Sequence, residues 1–358
     1  MKRDWFKWFR LLLFVIPLLV FLTFINWYSD PANLYHDVSK LIAESLMNGK
    51  PAYIASGNVD ERLLKCYMIE QMPKDADCVL IGSSTVLGIR KEHVGTVNFY
   101  NLGVSGADYY DIMATAAMME MNHVTPKRII FGVDHYFFCE GIYENNARSK
   151  SWRPYAKYME DILDNAEPFS PELDLEAQQK EKFRQLLSIT YFQASIEFLK
   201  NNDSLKIARW GVADKEYEGA YFQADGSMVY PKDYENTSVE TAIKAAADYD
   251  MEYQFGSYRH MNAKSKEEFE KLVNYWTQQG IEVVFFLCPI SPALWERYDA
   301  DLYPILPEME EYVWSMAEKY NLKVIGSYNP KHVGLTDEDY YDARHIKHPK
   351  IEKYFRFY

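Results

Sequence analysis

Four short blocks of this chain hold residue types that do chemistry together. The first is Gly82-Ser83-Ser84, continued by Thr85-Val86-Leu87 and Gly88. The second is Asn101-Leu102-Gly103-Val104-Ser105-Gly106, and the third Gly132-Val133-Asp134-His135. The fourth places Asp342 three residues before His345. A serine hydroxyl is a poor nucleophile until an imidazole accepts its proton. The imidazole in turn needs a carboxylate to fix its tautomer and stabilise the imidazolium. Asp and His at i, i+3 on a loop or a first helical turn can sit side by side and reach one strand end. Ser84, His345 and Asp342 therefore read as nucleophile, base and orienter for acyl transfer. Singly, the blocks say little: Gly-Ser-Ser is commonly a strand-to-helix turn with a capping serine, and surface Asp-His pairs are frequent. Their weight lies in joint occurrence and order.

Such residues meet only if elements of the right kind deliver them. The apolar run DCVLIG from Asp77 reads as a strand buried on both faces. VNFYNLGV from Val97, KRIIFGVD from Lys127, IEVVFFLCP from Ile281 and LKVIGSY from Leu322 read as four more. Helices alternate with them. One is expected from Asp111, one behind a Ser265-x-x-Glu268 capping box, and one opening at Pro307. Earlier helices are expected after Asp30 and over Asp60–Gln71. This alternation predicts an α/β fold, a three-layer parallel sheet with helices on both faces, which binds ligands at the strands' carboxyl ends. A helix following Ser84 would aim its positive N-terminus at a developing oxyanion.

Together the blocks resemble the SGNH (GDSL-like) hydrolase superfamily. That family carries G-D-S-x-x-x-G after its first strand, a glycine block after the second, G-x-N-D after the third and D-x-x-H near its end. The resemblance covers roughly Asp75–Cys139 and Ser265–Tyr354 and implies a flavodoxin-like sheet. It puts Ser84 at the nucleophile, Ser83 at the usual Asp position, and Asp342 and His345 at orienter and base. It puts the oxyanion donors at the backbone N–H groups of Ser84 and Gly106. At the third block this chain departs from the family: Asp134 stands nearest to the Asn whose side-chain N–H binds the oxyanion. An ionised carboxylate donates nothing there and repels negative charge. Two backbone donors must then suffice, or His135 or a protonated Asp134 takes part. The layout, with DPANLY after the first segment and GSS for GDS, is similar to a membrane-anchored branch. That branch serves bacterial surface-polymer acylation, as in alginate acetylation or teichoic acid D-alanylation.

The first 30 residues read as a cytoplasmic flank and an anchor. Lys2, Arg3, Lys7 and Arg10 precede Leu11–Tyr28, which has no charge and is flanked by Trp5, Trp8, Trp27 and Tyr28. A run of about 18–20 apolar residues suffices to span a bilayer, and the basic flank places the N-terminus in the cytoplasm. The exit lacks the small-x-small site of a cleaved signal peptide. Residues 31–358 then form the extracytoplasmic α/β body. It carries an insertion at about 140–264 that is helical in part and rich in tyrosine and acid, a cap rather than a separate domain.

A net charge of −13 excludes nucleic acid as a partner. With 48% hydrophobic residues the body is a packed globular one. Cys66, Cys78, Cys139 and Cys288 form no C-x-x-C pair, and Cys78 and Cys288 lie in apolar runs as small hydrophobes. His332 and His348 read as surface residues without metal-ligand spacing, so neither metal nor cofactor is expected. Trp152, Tyr155, Tyr158, Trp210, Tyr217 and Tyr221 of the insertion either stack on sugar rings or pack a small core. The leading expectation is a membrane-tethered serine O-acyltransferase of a bacterial plasma membrane. Its acceptor would be a cell-envelope polysaccharide or polymer, and a multi-spanning membrane acyltransferase could supply the acyl donor. A carbohydrate or lipid esterase with the same triad, and a catalytically decayed assembly partner, are the alternatives.

Overall fold

The structure, a computed structural model, describes residues 2–55, 59–139, 148–169, 171, 175–201, 208–256, 259–353 and 355. The side chains of residues 2–12, 175–179 and 181 lie outside that description. Among the described residues nine strands form two sheets. The larger is built from β2 (Cys78–Ile81), β3 (Phe99–Asn101), β4 (Arg128–Val133), β8 (Glu282–Leu287) and β9 (Lys323–Gly326). All its neighbours are parallel, in the order β3-β2-β4-β8-β9. In chain order that is 2-1-3-4-5, so the connections reverse direction beside β2, where doubly wound sheets open a binding crevice.

Period-two alternation divides the buried strands between two cores. Val79, Ile81, Phe131, Phe285 and Leu287 face one, under the longer helices α3 (Glu61–Gln71), α4 (Tyr109–Met121), α5 (Arg153–Leu163), α9 (Ala263–Gln278) and α10 (Ile305–Tyr320). Leu80, Ile130, Val284, Phe286 and Ile325 face the other. The expected long helices are not on that second face. Val86, Ile89 and Val94 from the turn after β2, and Leu335, Tyr340, Ile351 and Phe355 from the C-terminal segment, cover it on short helical turns. Each fully buried Phe or Ile contributes about 1.5–3 kcal/mol, so short turns still seal the face.

The smaller sheet is antiparallel. β1 (Ala52–Ile54) lies between β5 (Trp210–Val212) and β6 (Tyr221–Phe222), and β7 (Met228–Val229) pairs with β6. The insertion is therefore only partly helical: β5, β6 and β7 are three short strands of it, built onto β1, a segment that precedes the main sheet. With α2 (Val38–Met47) and α3 it closes a separate small core around Ile42, Leu64 and Phe222. The other insertion helices are α6 (Leu175–Leu186), α7 (Ile189–Asn201) and α8 (Val239–Ala247).

Ser265 does not cap α9. Asn262 does, its side chain accepting from Ser265 N–H at 3.0 Å, while Ser265 and Glu268 are buried in the first turns. The last labelled helix of the main layer, α10, begins two residues before Pro307. At the other end of the chain, α1 runs unbroken over Lys2–Ser29. Among the described residues no helix is long and apolar enough to cross a membrane. The described side chains of α1 begin at Leu13, and Leu13–Tyr28 is about 24 Å long against a hydrocarbon core of about 30 Å.

Candidate active site

Ser84 opens the turn that leaves β2 at the reversal point of the sheet. A single 3-10 turn, Ser84–Val86, follows it, and then the four-residue helix Lys91–Val94. The helix expected behind the nucleophile is thus replaced by short turns, too few aligned peptides to make a strong dipole. Packing holds the turn instead. A Cβ on Gly82 or on Gly103 would lie 2.9 Å from Val86 Cγ2, and one on Gly132 would collide with Val86 Cγ1. Val86 therefore seats itself on glycines at the ends of three adjacent strands, which is why all three blocks carry one. Asn101 Nδ2 donates to Val86 O at 2.8 Å and to Ile89 O at 2.9 Å, and its Oδ1 accepts from Gly103 N–H at 2.9 Å. From the insertion, Met228 N–H donates to Leu87 O at 2.7 Å and Asp225 accepts from Lys91 N–H at 3.0 Å.

Ser84 then meets two residues more than 250 positions further along the chain. Ser84 Oγ lies 2.9 Å from His345 Nε2, and His345 Nδ1 lies 2.8 Å from Asp342 Oδ2. Asp342 Oδ1 also accepts from the backbone N–H groups of Arg344 at 2.8 Å and His345 at 2.7 Å. Burial works against the Asp342 charge. The hydrogen bond to His345, that ring's charge and the two N–H groups outweigh it and hold the carboxyl below its ordinary range. With Nδ1–H donated to Asp342, Nε2 is left to accept the Ser84 hydroxyl. The order Ser…Asp…His yields the geometry expected of it.

Of the expected oxyanion donors, Ser84 N–H stands at the start of its turn. Gly106 lies in the turn after β3, which is bound alongside β2 through Val104 N–H to Gly82 O at 3.1 Å. Gly106 has φ +58°, and a Cβ there would sit 3.2 Å from Arg148 Nη1, so only glycine fits without strain. That turn is tied to the first turn of α3. Glu61 accepts from Ser105 N–H at 2.5 Å and from Ser105 Oγ at 3.0 Å, and Arg62 donates to Gly106 O at 3.3 Å.

Asp134 is not an oxyanion donor. Its buried carboxylate is engaged by Arg344 Nη2 and Ser83 Oγ, and accepts from Thr85 Oγ1 at 3.0 Å. A carboxylate with these partners only accepts. His135 is no substitute: its Nε2 meets Gln254 O at 3.1 Å, and burial pushes its pKa down to about 3. Of the expected donors, only the backbone N–H groups of Ser84 and Gly106 keep that role open. Arg344 is a residue that sequence reasoning missed, although it sits inside D-x-x-H itself.

The cleft over Ser84 is lined by Thr85, Gly88, Tyr230, Tyr341, His345 and His348, and it encloses about 20 Å³, room for about one water-sized group. Tyr341 stacks on the His345 ring at 5.5 Å and 6°. Tyr230 and Tyr234 of the insertion pack on Tyr341 at 5.5 and 5.0 Å. None of the six aromatics singled out in the sequence lines this cleft. Trp152 and Tyr155 are buried in the main core, and Tyr217 stacks on Tyr53 at 4.7 Å in the small sheet. His348 is not a surface residue but half-buried, with Nε2 enclosed and unpartnered, whereas His332 is exposed. All four cysteines are buried, and burial raises their thiol pKa values, to about 12 for Cys288. Among the described residues no group of three His, Cys, Asp or Glu is placed to hold a metal.

No family model matches the chain, and comparison with curated proteins gives no match.

Proposed function

We propose that this protein is a membrane-tethered, extracytoplasmic serine acyl-transfer enzyme of the SGNH type, an O-acyltransferase acting on a cell-envelope polysaccharide or polymer. The observation that carries the reading is the continuous Ser84–His345–Asp342 relay at the carboxyl end of a parallel sheet. Ser84 Oγ attacks the acyl carbon of a donor, and its proton passes to His345 Nε2. The tetrahedral oxyanion is met by the N–H groups of Ser84 and Gly106, and collapses as His345 returns the proton to the leaving group. An acceptor hydroxyl then gives its proton to His345, attacks the acyl-Ser84 carbonyl and displaces the Ser84 oxygen, which takes the proton back.

The narrow cleft favours a small acyl group at Ser84, with the bulky acceptor approaching from outside. The uncharged run Leu11–Tyr28, about 27 Å as a helix, supports the anchor, and its basic flank supports a cytoplasmic N-terminus. A tethered enzyme meets donor and acceptor at the membrane surface, where positioning contributes several kcal/mol to the rate.

A fluorophosphonate probe should label the full-length protein at Ser84, and Ser84→Ala should abolish labelling. Polymer fragments bearing free hydroxyls should accelerate turnover of a small activated ester and become acylated. Fast hydrolysis that ignores every polymer would leave an esterase. An unlabelled wild type would leave a decayed partner.

A further inference from the structure

α6 and α7 form a hairpin packed on the C-terminal part of α1. Asn26 Nδ2 donates to Gln185 O at 3.2 Å, Leu186 O at 3.0 Å and Ser188 O at 3.1 Å, while Asn26 Oδ1 accepts from Ser195 Oγ at 3.2 Å. Four residues, from the end of α6 through Ser188 to Ser195 on α7, thus converge on one residue of α1. The ring of Phe192 meets Phe21 edge-on at 6.2 Å, and Leu186 shares an apolar groove with Leu19, Val20 and Phe24. Phe21 lies seven residues inside the uncharged run from Tyr28, a depth of about 10 Å along the helix.

Polar and apolar groups segregate along the axis of α1 at this junction. On the Asp30 side, Arg209 donates to Tyr28 O at 2.9 Å, Ser29 O at 2.6 Å and Asp30 O at 2.8 Å, and Tyr191 OH donates to Asp30 Oδ1 at 2.8 Å. This network closes the open carbonyls of α1 and fixes the hairpin at one level. Around the hairpin turn three large apolar side chains are exposed: Phe183 at 65%, Leu187 at 45% and Ile189 at 68%. Lys182 and Arg184 flank Phe183, the pattern of an amphipathic segment whose basic ends stay at the headgroups while its apolar face enters the acyl region.

We infer that the α6–α7 turn is an interfacial membrane element, its Phe183, Leu187 and Ile189 side chains immersed among lipid acyl chains beside α1. The inference rests on the reading of α1 as an anchor. The occupant is lipid because the apolar turn is continuous with the exposed face of α1, where Leu18 and Phe21 are 66% and 53% exposed. Two contacts instead of one would hold the body at a fixed tilt and keep the Ser84 cleft at a set height above the bilayer.

The test uses the full chain in vesicles of phosphatidylcholine and phosphatidylglycerol. The four native cysteines are buried, so single cysteines at exposed positions can be labelled with an environment-sensitive fluorophore. Leu187→Cys and Ile189→Cys report the turn, Leu18→Cys reports α1, and Val97→Cys, 88% exposed on the body, reports water. Labels at 187 and 189 should be quenched by acyl-brominated lipid at least about twofold more than the label at 97, approaching the label at 18. Labels at 187 and 189 that match 97, while 18 is quenched, would overturn the interfacial turn and leave the anchor; a protein partner on this face would give that result. An unquenched label at 18 would overturn the anchor, and the inference with it.

Discussion

Arg344 and His345 are neighbours in the chain, yet they serve two halves of one site. On one half Asp342 holds the His345 imidazole, 2.8 Å away, against the Ser84 hydroxyl. On the other, Asp134 holds the Arg344 guanidinium in the interior beside Ser83 and Thr85. Both pair a carboxylate with a nitrogen group, and the difference lies in the nitrogen. An imidazole gains and loses a proton near neutral pH and can cycle. A guanidinium keeps its charge, and here burial is outweighed by nearby Tyr249 and Asp134, which raise it further. One half can do chemistry, and the other can only fix where the chemistry happens. The Asp134–Arg344 pair ties the strand end of β4 to the segment carrying Asp342 and His345.

The sharpest way to separate the halves is to change each carboxylate to its amide. Asp342→Asn should fold normally and lose about 10⁴ in kcat, because the amide stabilises the wrong imidazole tautomer. Unchanged melting with a collapsed burst of acyl-enzyme in stopped-flow assays is the expected signature. A loss below about tenfold would remove Asp342 from the relay.

Asp134→Asn should fail differently. It leaves the Arg344 charge buried without its partner, which costs about 3–5 kcal/mol of stability. Urea unfolding should show that loss, and activity should fall only as the His345 segment loosens. The double change Asp134→Leu with Arg344→Met should regain most of the stability, since an apolar pair of similar volume removes the stranded charge. If Asp134→Asn instead kept full stability and raised esterase rates, the carboxylate would be an obstacle at the oxyanion rather than a tie.

How much of this was legible in the sequence divides along the same line. The meeting of Ser84, His345 and Asp342 was readable from their residue types and order, and the five main strands because apolar runs such as VVFFL have one use in a buried sheet. The tie was not readable, since nothing local distinguishes Arg344 from any surface arginine. Only the fold brings it to Asp134, 210 positions away. The small sheet was hidden for a related reason: β6 and β7 are two residues each, and β1 pairs with strands more than 150 residues later. Runs that short have no period to detect. The helix cap went to Ser265 because S-x-x-E is a good local pattern, but Asn262 reaches the helix N-terminus first.

A second pair of neighbours gives the smallest effect and a finer comparison. His345 and His348 both line the cleft, three residues apart. His345 has a carboxylate partner, whereas His348 is half-buried, its Nε2 unpartnered, with the His93 ring 6.1 Å away. Burial, then the charges of Arg90 and His93, push the His348 pKa down to about 3. An unfolded histidine titrates near 6.5, so between about pH 6.5 and 3 the unfolded chain binds a proton that the folded chain refuses. Stability from this residue is therefore complete above pH 6.5 and is lost as pH falls through that window. From pH 7 to 5.5 the loss should be about 1 kcal/mol, a range in which most carboxylates stay ionised. His348→Asn should flatten the urea-derived stability profile by that amount, leaving the slope due to His135, which burial holds down in the same way. His345→Asn should instead abolish turnover, since it removes the ring nitrogen that faces the Ser84 hydroxyl at 2.9 Å. Equal slopes for wild type and His348→Asn would show that His348 takes up its proton in the folded protein as freely as in the unfolded one.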